Sequence, residues 1–183
     1  SFMSVRVGVC GAAGRMGKTI MEVCKDTDGV EVTAAIEYSE SPMLGIDAGE
    51  VAGIGKTGVL ITDDISSVAY QVDVMIDFTF AAAMTANIKK CVSANCKMVI
   101  GTTGLSKADH EQIELASEKI AIVFAPNMSI GVNLCLKLLE MAAQVIGDDA
   151  DIEIIEAHHR HKKDAPSGTA IRMGEVVANT LGR

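Results

Sequence analysis

At 183 residues, 49% of them hydrophobic and 22% charged, the chain is long enough for one substantial core or two small ones, with an ordinary globular balance. Its formal net charge of -8 excludes general affinity for nucleic acid or an anionic membrane, since both demand a basic surface. No apolar run reaches spanning length and the start lacks a basic n-region with a cleavage site, so a cytoplasmic location with no membrane partner is expected.

The five cysteines, Cys10, Cys24, Cys91, Cys96 and Cys135, form no C-x-x-C pair and fall mostly in apolar patterns. Reduced core thiols are expected there, rather than disulfides or zinc ligands. Ten methionines and no tryptophan predict an aliphatic, adaptable core.

Val5 to Cys10 is a valine-rich run predicted as a buried strand, and G-A-A-G-R-M-G follows it directly, ahead of helix-forming residues. Strand, glycine-rich turn and helix is the context in which such a motif binds a dinucleotide. Gly11, Gly14 and Gly17 permit a tight turn, close approach of backbone to a pyrophosphate, and close packing of helix on strand. The helix N-terminus then faces the phosphates. The spacing is G-x-x-G-x-x-G rather than G-x-G-x-x-G, and glycine-rich turns also serve plain packing, so the motif needs support. Val30 to Ile36, a second predicted strand, supplies it. It ends at Glu37, about twenty residues beyond Gly17, where a dinucleotide fold places an acid to accept hydrogen bonds from the adenosine ribose. Tyr38-Ser39-Glu40 follows, with no arginine or lysine to grip a 2'-phosphate, so NADH is expected to be accepted at least as well as NADPH.

Residues 39 to 57 are rich in glycine, serine and acids and read as an irregular connection. Val59 to Ile61 predicts a short strand, Asp63-Asp64 a helix start, Val72 to Phe78 a strand, Thr79 to Val92 a helix and Met98 to Ile100 a strand. Ser106-x-x-Asp109 resembles a capping box, and Ile120 to Phe124 closes the series. Strands alternating with helices predict an α/β fold over residues 1–126, a Rossmann-like doubly wound parallel sheet, because each parallel connection must cross over. Two strand ends carry small polar loops, Gly101-Thr102-Thr103-Gly104 and Ala125-Pro126-Asn127-Met128. Since ligands bind outside the carboxyl ends of such strands, these loops are expected to hold the nicotinamide half; ordinary turn chemistry is the plainer alternative.

Beyond them, Gly131 to Ile146 reads as a long helix partly buried between lobes, Asp151 to Ala157 as a strand, and the stretch from Thr169 as a final helix. Between the last two lies E-A-H-H-R-H-K-K-D-A-P-S-G-T-A, Glu156 to Ala170. His158, His159, His161, an arginine and two lysines fall between Glu156 and Asp164, a local positive site on an acidic protein. Histidine titrates near neutrality, a lysine among cations can become a proton donor, and the Ser167-Gly168-Thr169 amides at a helix start suit a carboxylate. An active-site loop for an anionic substrate is therefore expected, against a solvated basic turn; a metal site is not expected, because H-H-x-H lacks a closed ligand set. One strand and two helices build no independent core, so residues 127–183 are expected to be an incomplete α+β substrate lobe, completed by further chain or by another chain.

With the glycine turn, Glu37, G-T-T-G, A-P-N-M-S and E-A-H-H-R-H-K-x-D-A-P-S-G-T-A in one order, the chain closely resembles the dihydrodipicolinate reductase family of the diaminopimelate route to lysine. The resemblance implies hydride transfer from NADH or NADPH to a small cyclic dicarboxylate, giving tetrahydrodipicolinate. It implies His158 and Lys162 as acid/base residues, Lys162 foremost as proton donor, and His159, Gly168 and Thr169 as holders of the substrate carboxylates. Gly11, Ala12, Ala13, Gly14, Arg15, Met16, Glu37, Gly101, Thr102, Thr103, Ala125, Pro126, Asn127 and Met128 are implied as cofactor contacts. Tyr38 stands where some relatives carry a basic residue, and Lys163 occupies a variable place and takes no role. The family also implies a homotetramer built by further strands of the substrate lobe. A non-catalytic dinucleotide-binding module and a dehydrogenase of another small acid are the competing functions.

Overall fold

Short valine- and isoleucine-rich runs, each followed by a helical pattern, cannot pair antiparallel through tight turns; they need crossovers, and crossovers give parallel ladders. The computed structural model describes residues 4–125, 127–162 and 164–183. Among them, β1 (Val5–Cys10), β2 (Val30–Ile36), β3 (Ile61–Thr62), β4 (Val74–Asp77), β5 (Lys97–Ile100) and β6 (Ile122–Phe124) form a six-stranded sheet in the order β3-β2-β1-β4-β5-β6. Every pairing is parallel. The order reverses between β1 and β4, so the crevice for a ligand opens at the carboxyl ends of those two strands. The chain divides into two compact units at Phe124/Ala125, and the sheet lies wholly in the first.

Helices α1 (Arg15–Lys25), α2 (Ala48–Ala52), α3 (Ile65–Val68), α4 (Ala81–Ser93) and α5 (Lys107–Ser117) connect these strands. They cover both faces, which is why the strands carry near-continuous apolar sequence. One apolar cluster joins Met75 and Met98 of the sheet to Ile65, Met84, Ile88 and Ile113 of α3, α4 and α5. The other joins Val7, Val9 and Ala35 to Met21 of α1 and Ala48 of α2. Met21, Met75, Met84 and Met98 are fully buried, as the methionine-rich composition predicts, each contributing about 1.5–3 kcal/mol by burial. Four cysteines are buried free thiols, whereas Cys135 is exposed, contrary to the expectation of a core residue. Ser106 caps α5 with the expected capping box: its hydroxyl accepts from the Asp109 amide, and Asp109 accepts in return from the Ser106 amide.

The irregular connection predicted over 39–57 contains α2 and has its own organiser. Asp47 caps that helix, accepting from the Gly49 and Glu50 amides, and reaches across the loop to the Thr57 and Gly58 amides and the Thr57 hydroxyl at 2.6–3.2 Å. Burial pushes its carboxyl upward, but hydrogen bonds from Thr57, Gly58 and Glu50 outweigh that and hold it at about 2. The folded state therefore favours the carboxylate. That contribution is complete above the unfolded value near pH ~4 and is lost as pH falls toward the folded value. Urea titrations across this acid window are expected to show Asp47→Asn, already less stable near neutrality, losing less further stability than the native chain. Parallel losses with acid would remove Asp47 from the account.

The second unit contains α6 (Ile130–Ile146), α7 (Gly168–Leu181) and a 3-10 turn at Gly147–Asp149. Helices α6 and α7 pack on each other. Ser129 caps α6 through the Val132 amide, and Ser167 caps α7 through the Ala170 amide. The predicted strand at Asp151 to Ala157 is not formed: these residues are extended but pair with nothing in a ladder. Alternating apolar residues specify one face of a strand, yet a strand exists only with a partner, and the described residues of this unit hold none. On α6 Ala143 is buried and Val132, Leu136 and Leu139 are half-buried, while Ile130, Leu134, Leu138, Met141 and Val145 stand exposed along one stripe.

Candidate functional site

The first unit brings the glycine turn to the mouth of the crevice. Gly11 adopts φ +66, a left-handed conformation that disfavours any side chain, and its carbonyl accepts from the Gly14 amide at 2.9 Å. A Cβ on Gly17 would lie 2.1 Å from the Gly11 carbonyl oxygen and 2.8 Å from the Ala12 Cα, so α1 sits this close to β1 only because residue 17 is glycine. Gly14 is the N-cap and supplies no side-chain cap to the first turn of α1. Those turn amides are left for a ligand's oxygens, the arrangement a pyrophosphate requires.

Glu37, at the end of β2, accepts from the Ala13 amide at 2.9 Å, tying the turn after β1 to the neighbouring strand. It lines a cleft of about 580 Å³ together with Gly11, Gly14, Arg15 and Met16. Ala12 is fully buried beneath the turn, its amide donating to the Ile36 carbonyl, and Ala13 is engaged with Glu37. These two alanines shape the turn and do not line the cleft.

Neither do the predicted contacts of the G-T-T-G loop. Gly101 packs where a Cβ would meet the Phe78 ring at 2.1 Å, Thr102 is 1% exposed, and Thr103 faces solvent. The reason is Asp77, a buried carboxylate at the end of β4 that chain-local reasoning missed. It accepts from the Thr79 amide at 2.9 Å and hydroxyl at 2.6 Å, from the Asn87 side-chain amide at 2.8 Å, and from the Thr102 hydroxyl at 3.3 Å. Thr102 thus holds two strand-end loops together. An acid closing an apolar strand, I-D-F-T, was the available signal. The segment it anchors delivers Phe78, Thr79 and Phe80 to the cleft, and α4 adds Asn87 and Lys90, which donates to the Asp63 carbonyl at 3.1 Å. Burial first, then Asp77, pushes the adjoining Cys10 thiol far up, so it is an inert part of the wall.

In the second unit, Asn127 organises its own loop. Its side-chain oxygen accepts from the Ser129 amide at 2.8 Å and its side-chain nitrogen donates to the Thr169 hydroxyl at 3.4 Å, so Asn127 reaches the start of α7. Ala125 and Met128 flank it, whereas Pro126 and Lys163 lie outside the described residues.

The histidine-rich loop is less cationic than its composition predicts, because each expected acid/base group has an acid beside it. His158 Nε2 lies 2.6 Å from Glu156, and Lys162 donates to Asp164 at 2.6 Å. Hydrogen bonds from Ser167, then His158, hold the Glu156 carboxyl down at about 2. Lys162, with a smaller contribution from His158, draws Asp164 below the usual carboxylate range. Both candidate proton donors are therefore within electrostatic reach of one carboxylate. The Glu156–Ser167 bond, at 2.8 Å, also fastens the loop to the cap of α7, whose first residues are Gly168 and Thr169. His159 accepts from the His161 amide through Nδ1, and its carbonyl from the Lys162 amide.

Comparison with known proteins finds relatives along nearly the whole chain. A family model described as "Dihydrodipicolinate reductase, N-terminus" matches residues 5–128, and its counterpart for the C-terminus matches residues 131–183. A 4-hydroxy-tetrahydrodipicolinate reductase of Methylococcus capsulatus (strain Bath) is 54% identical over 181 residues, 99% of this chain and 67% of that protein. The dipicolinate-bound dihydrodipicolinate reductase from Paenisporosarcina sp. TG-14 has a TM-score of 0.74 at 28% identity, covering 98% of this chain and 67% of that one. A biliverdin reductase from Synechocystis sp. PCC 6803, solved with biliverdin and NADP+, shares the fold alone: TM-score 0.55 at 18% identity, over 79% of this chain and 44% of that one.

Proposed function

The chain belongs to the dihydrodipicolinate reductase family and is an oxidoreductase that reduces 4-hydroxy-tetrahydrodipicolinate with NAD(P)H; from that premise, we propose that Lys162 and His158 carry its proton chemistry. The observation that carries this reading is the pairing of both residues with acids in the loop that opens α7, with Asp164 drawn down by each of them. A dicarboxylate is received by the first amides of α7 at Gly168 and Thr169 and by His159, where unsatisfied N–H groups and the helix dipole favour anions. Asp164 orients the Lys162 ammonium, which donates the proton that neutralises charge developing on the reduced ring; His158, held by Glu156, is the second acid/base group. The nicotinamide cofactor supplies the hydride when bound. Residues 1–126 form the dinucleotide domain and residues 127–183 the beginning of a substrate and oligomerisation domain in this reading. Gly11, Gly14, Arg15, Met16 and Glu37 hold the dinucleotide, the turn of Ala12 and Ala13 presents it with backbone, and Gly101 to Thr103 and Ala125 to Met128 serve its nicotinamide half. A tetramer and a cytoplasmic location belong to the same proposal; no described helix is long and apolar enough to cross a membrane.

The test is NADH oxidation with substrate generated freshly from pyruvate and aspartate semialdehyde. Turnover inhibited by pyridine-2,6-dicarboxylate is the expected result. Cofactor binding without turnover would assign the chain to the class of non-catalytic dinucleotide modules instead.

Cofactor choice follows from the wall beside Glu37. Glu37 and Glu40 favour the free ribose of NADH, and Tyr38 offers no charge to a 2'-phosphate, while Arg15 and Lys90 give the same cleft two cations. Tyr38→Arg is expected to raise NADPH affinity relative to NADH by about tenfold, the worth of one good charge-assisted hydrogen bond. Unchanged relative affinities in a fluorescence titration would remove Tyr38 from that role.

A further inference from the structure

The chain has two tyrosines, four phenylalanines and no tryptophan, so aromatic surface is scarce. Two of these rings, Tyr38 at 58% exposure and Phe80 at 66%, nevertheless line the same cleft. Their placement follows from the sheet order. Tyr38 comes just after β2 and Phe80 just after β4, and β2 and β4 are the two neighbours of β1. The two residues therefore leave the sheet on opposite sides of the glycine turn that follows β1. Neither stacks on another aromatic side chain among the described residues. The helix that Phe80 opens presents Ala83 and Ala86 to the cleft, side chains too small to fill the space beside it. The segment carrying Phe80 is held by the Asp77 hydrogen bonds to Thr79, so its backbone is already in place when a ligand arrives.

We propose that Tyr38 and Phe80 form an aromatic clamp that binds the dinucleotide's purine base by stacking, and that this clamp makes the enzyme indifferent to which purine it holds. The proposal rests on the dinucleotide reading of this cleft. A flat heterocycle matches two exposed rings in a slot floored by alanines, and a phosphate does not. Stacking reads area and π-face and is tolerant of base identity, whereas a reader of adenine requires donors and acceptors aimed at its edge. Asn87, the cleft's side-chain amide, already gives an N–H to Asp77.

The experiment is fluorescence titration of the native chain, Tyr38→Ala, Phe80→Ala and Tyr38→Phe with three reduced cofactors: NADH, its hypoxanthine analogue, and nicotinamide mononucleotide, which has no base. The native chain is expected to bind NADH and the hypoxanthine analogue alike, and each alanine variant to weaken both by about tenfold. Tyr38→Phe is expected to bind as the native chain does, and binding of the mononucleotide to be the same in all four proteins. Three results overturn the clamp while leaving the dinucleotide site standing: NADH affinity unchanged in the alanine variants, mononucleotide affinity lost in parallel with it, or strong preference for adenine over hypoxanthine. A native chain that binds no NADH overturns the cofactor reading together with the clamp.

Discussion

Lys162→Ala is expected to lower turnover by about a thousandfold, within the usual size of a general-acid contribution, and to leave NADH affinity near its native value. The split follows from where Lys162 acts: its ammonium is held by Asp164 in the loop before α7, while the cleft that holds Glu37 and the glycine turn is built from other residues in the first unit. Steady-state NADH oxidation and a fluorescence titration on the same protein check both halves. His158→Ala is the necessary companion. If it costs more than Lys162→Ala and the Lys162 variant keeps a native pH profile, the donor is His158. Native turnover in the Lys162 variant would end the assignment of proton donation to this loop's lysine.

Gly17→Ala is the second large effect, expected on stability and cofactor affinity together. Most glycine-to-alanine changes inside a helix stabilise it, by about 0.5–1 kcal/mol. Here the new methyl meets the Gly11 carbonyl oxygen at 2.1 Å and the Ala12 Cα at 2.8 Å, backbone atoms that cannot swing aside. Helix α1 must lift from β1, uncovering Met21 and Cys24 and displacing the amides that face the phosphates. A net loss of about 1–3 kcal/mol in urea unfolding, the usual cost of overpacking, is expected, with NADH affinity falling by more than about tenfold. Gly14→Ala is the control, because its Cβ would meet only the Gly11 oxygen, at 3.2 Å, and it should be far milder. Equal effects at both positions would mean that close packing of α1 is not what the third glycine provides.

The elements legible in the chain itself are those whose cause is local. Val5–Cys10 and Val30–Ile36 were bounded as predicted, because valine-rich runs between turn signals carry their own period and punctuation. The capping box of Ser106 and Asp109 needed only four consecutive residues, and the glycine turn with Glu37 needed only a strand on each side. Parallel pairing followed from the alternation of strands and helices.

What the tertiary structure decided is every feature whose partner is distant in sequence. The strand predicted at Asp151 to Ala157 has the right alternation and no partner, so it did not form. Asp77 reads as an ordinary acid until folding brings Asn87 and Thr102 to it, and nothing near Thr102 in sequence announces that its hydroxyl donates to that carboxylate. Phe80 and Lys90 belong to a different helix from the one that follows the glycine turn, yet the order β2-β1-β4 sets them in one cleft with Glu37 and Tyr38. Local pattern specifies which backbone hydrogen bonds and which apolar face a segment can offer. Only packing determines which segment accepts them.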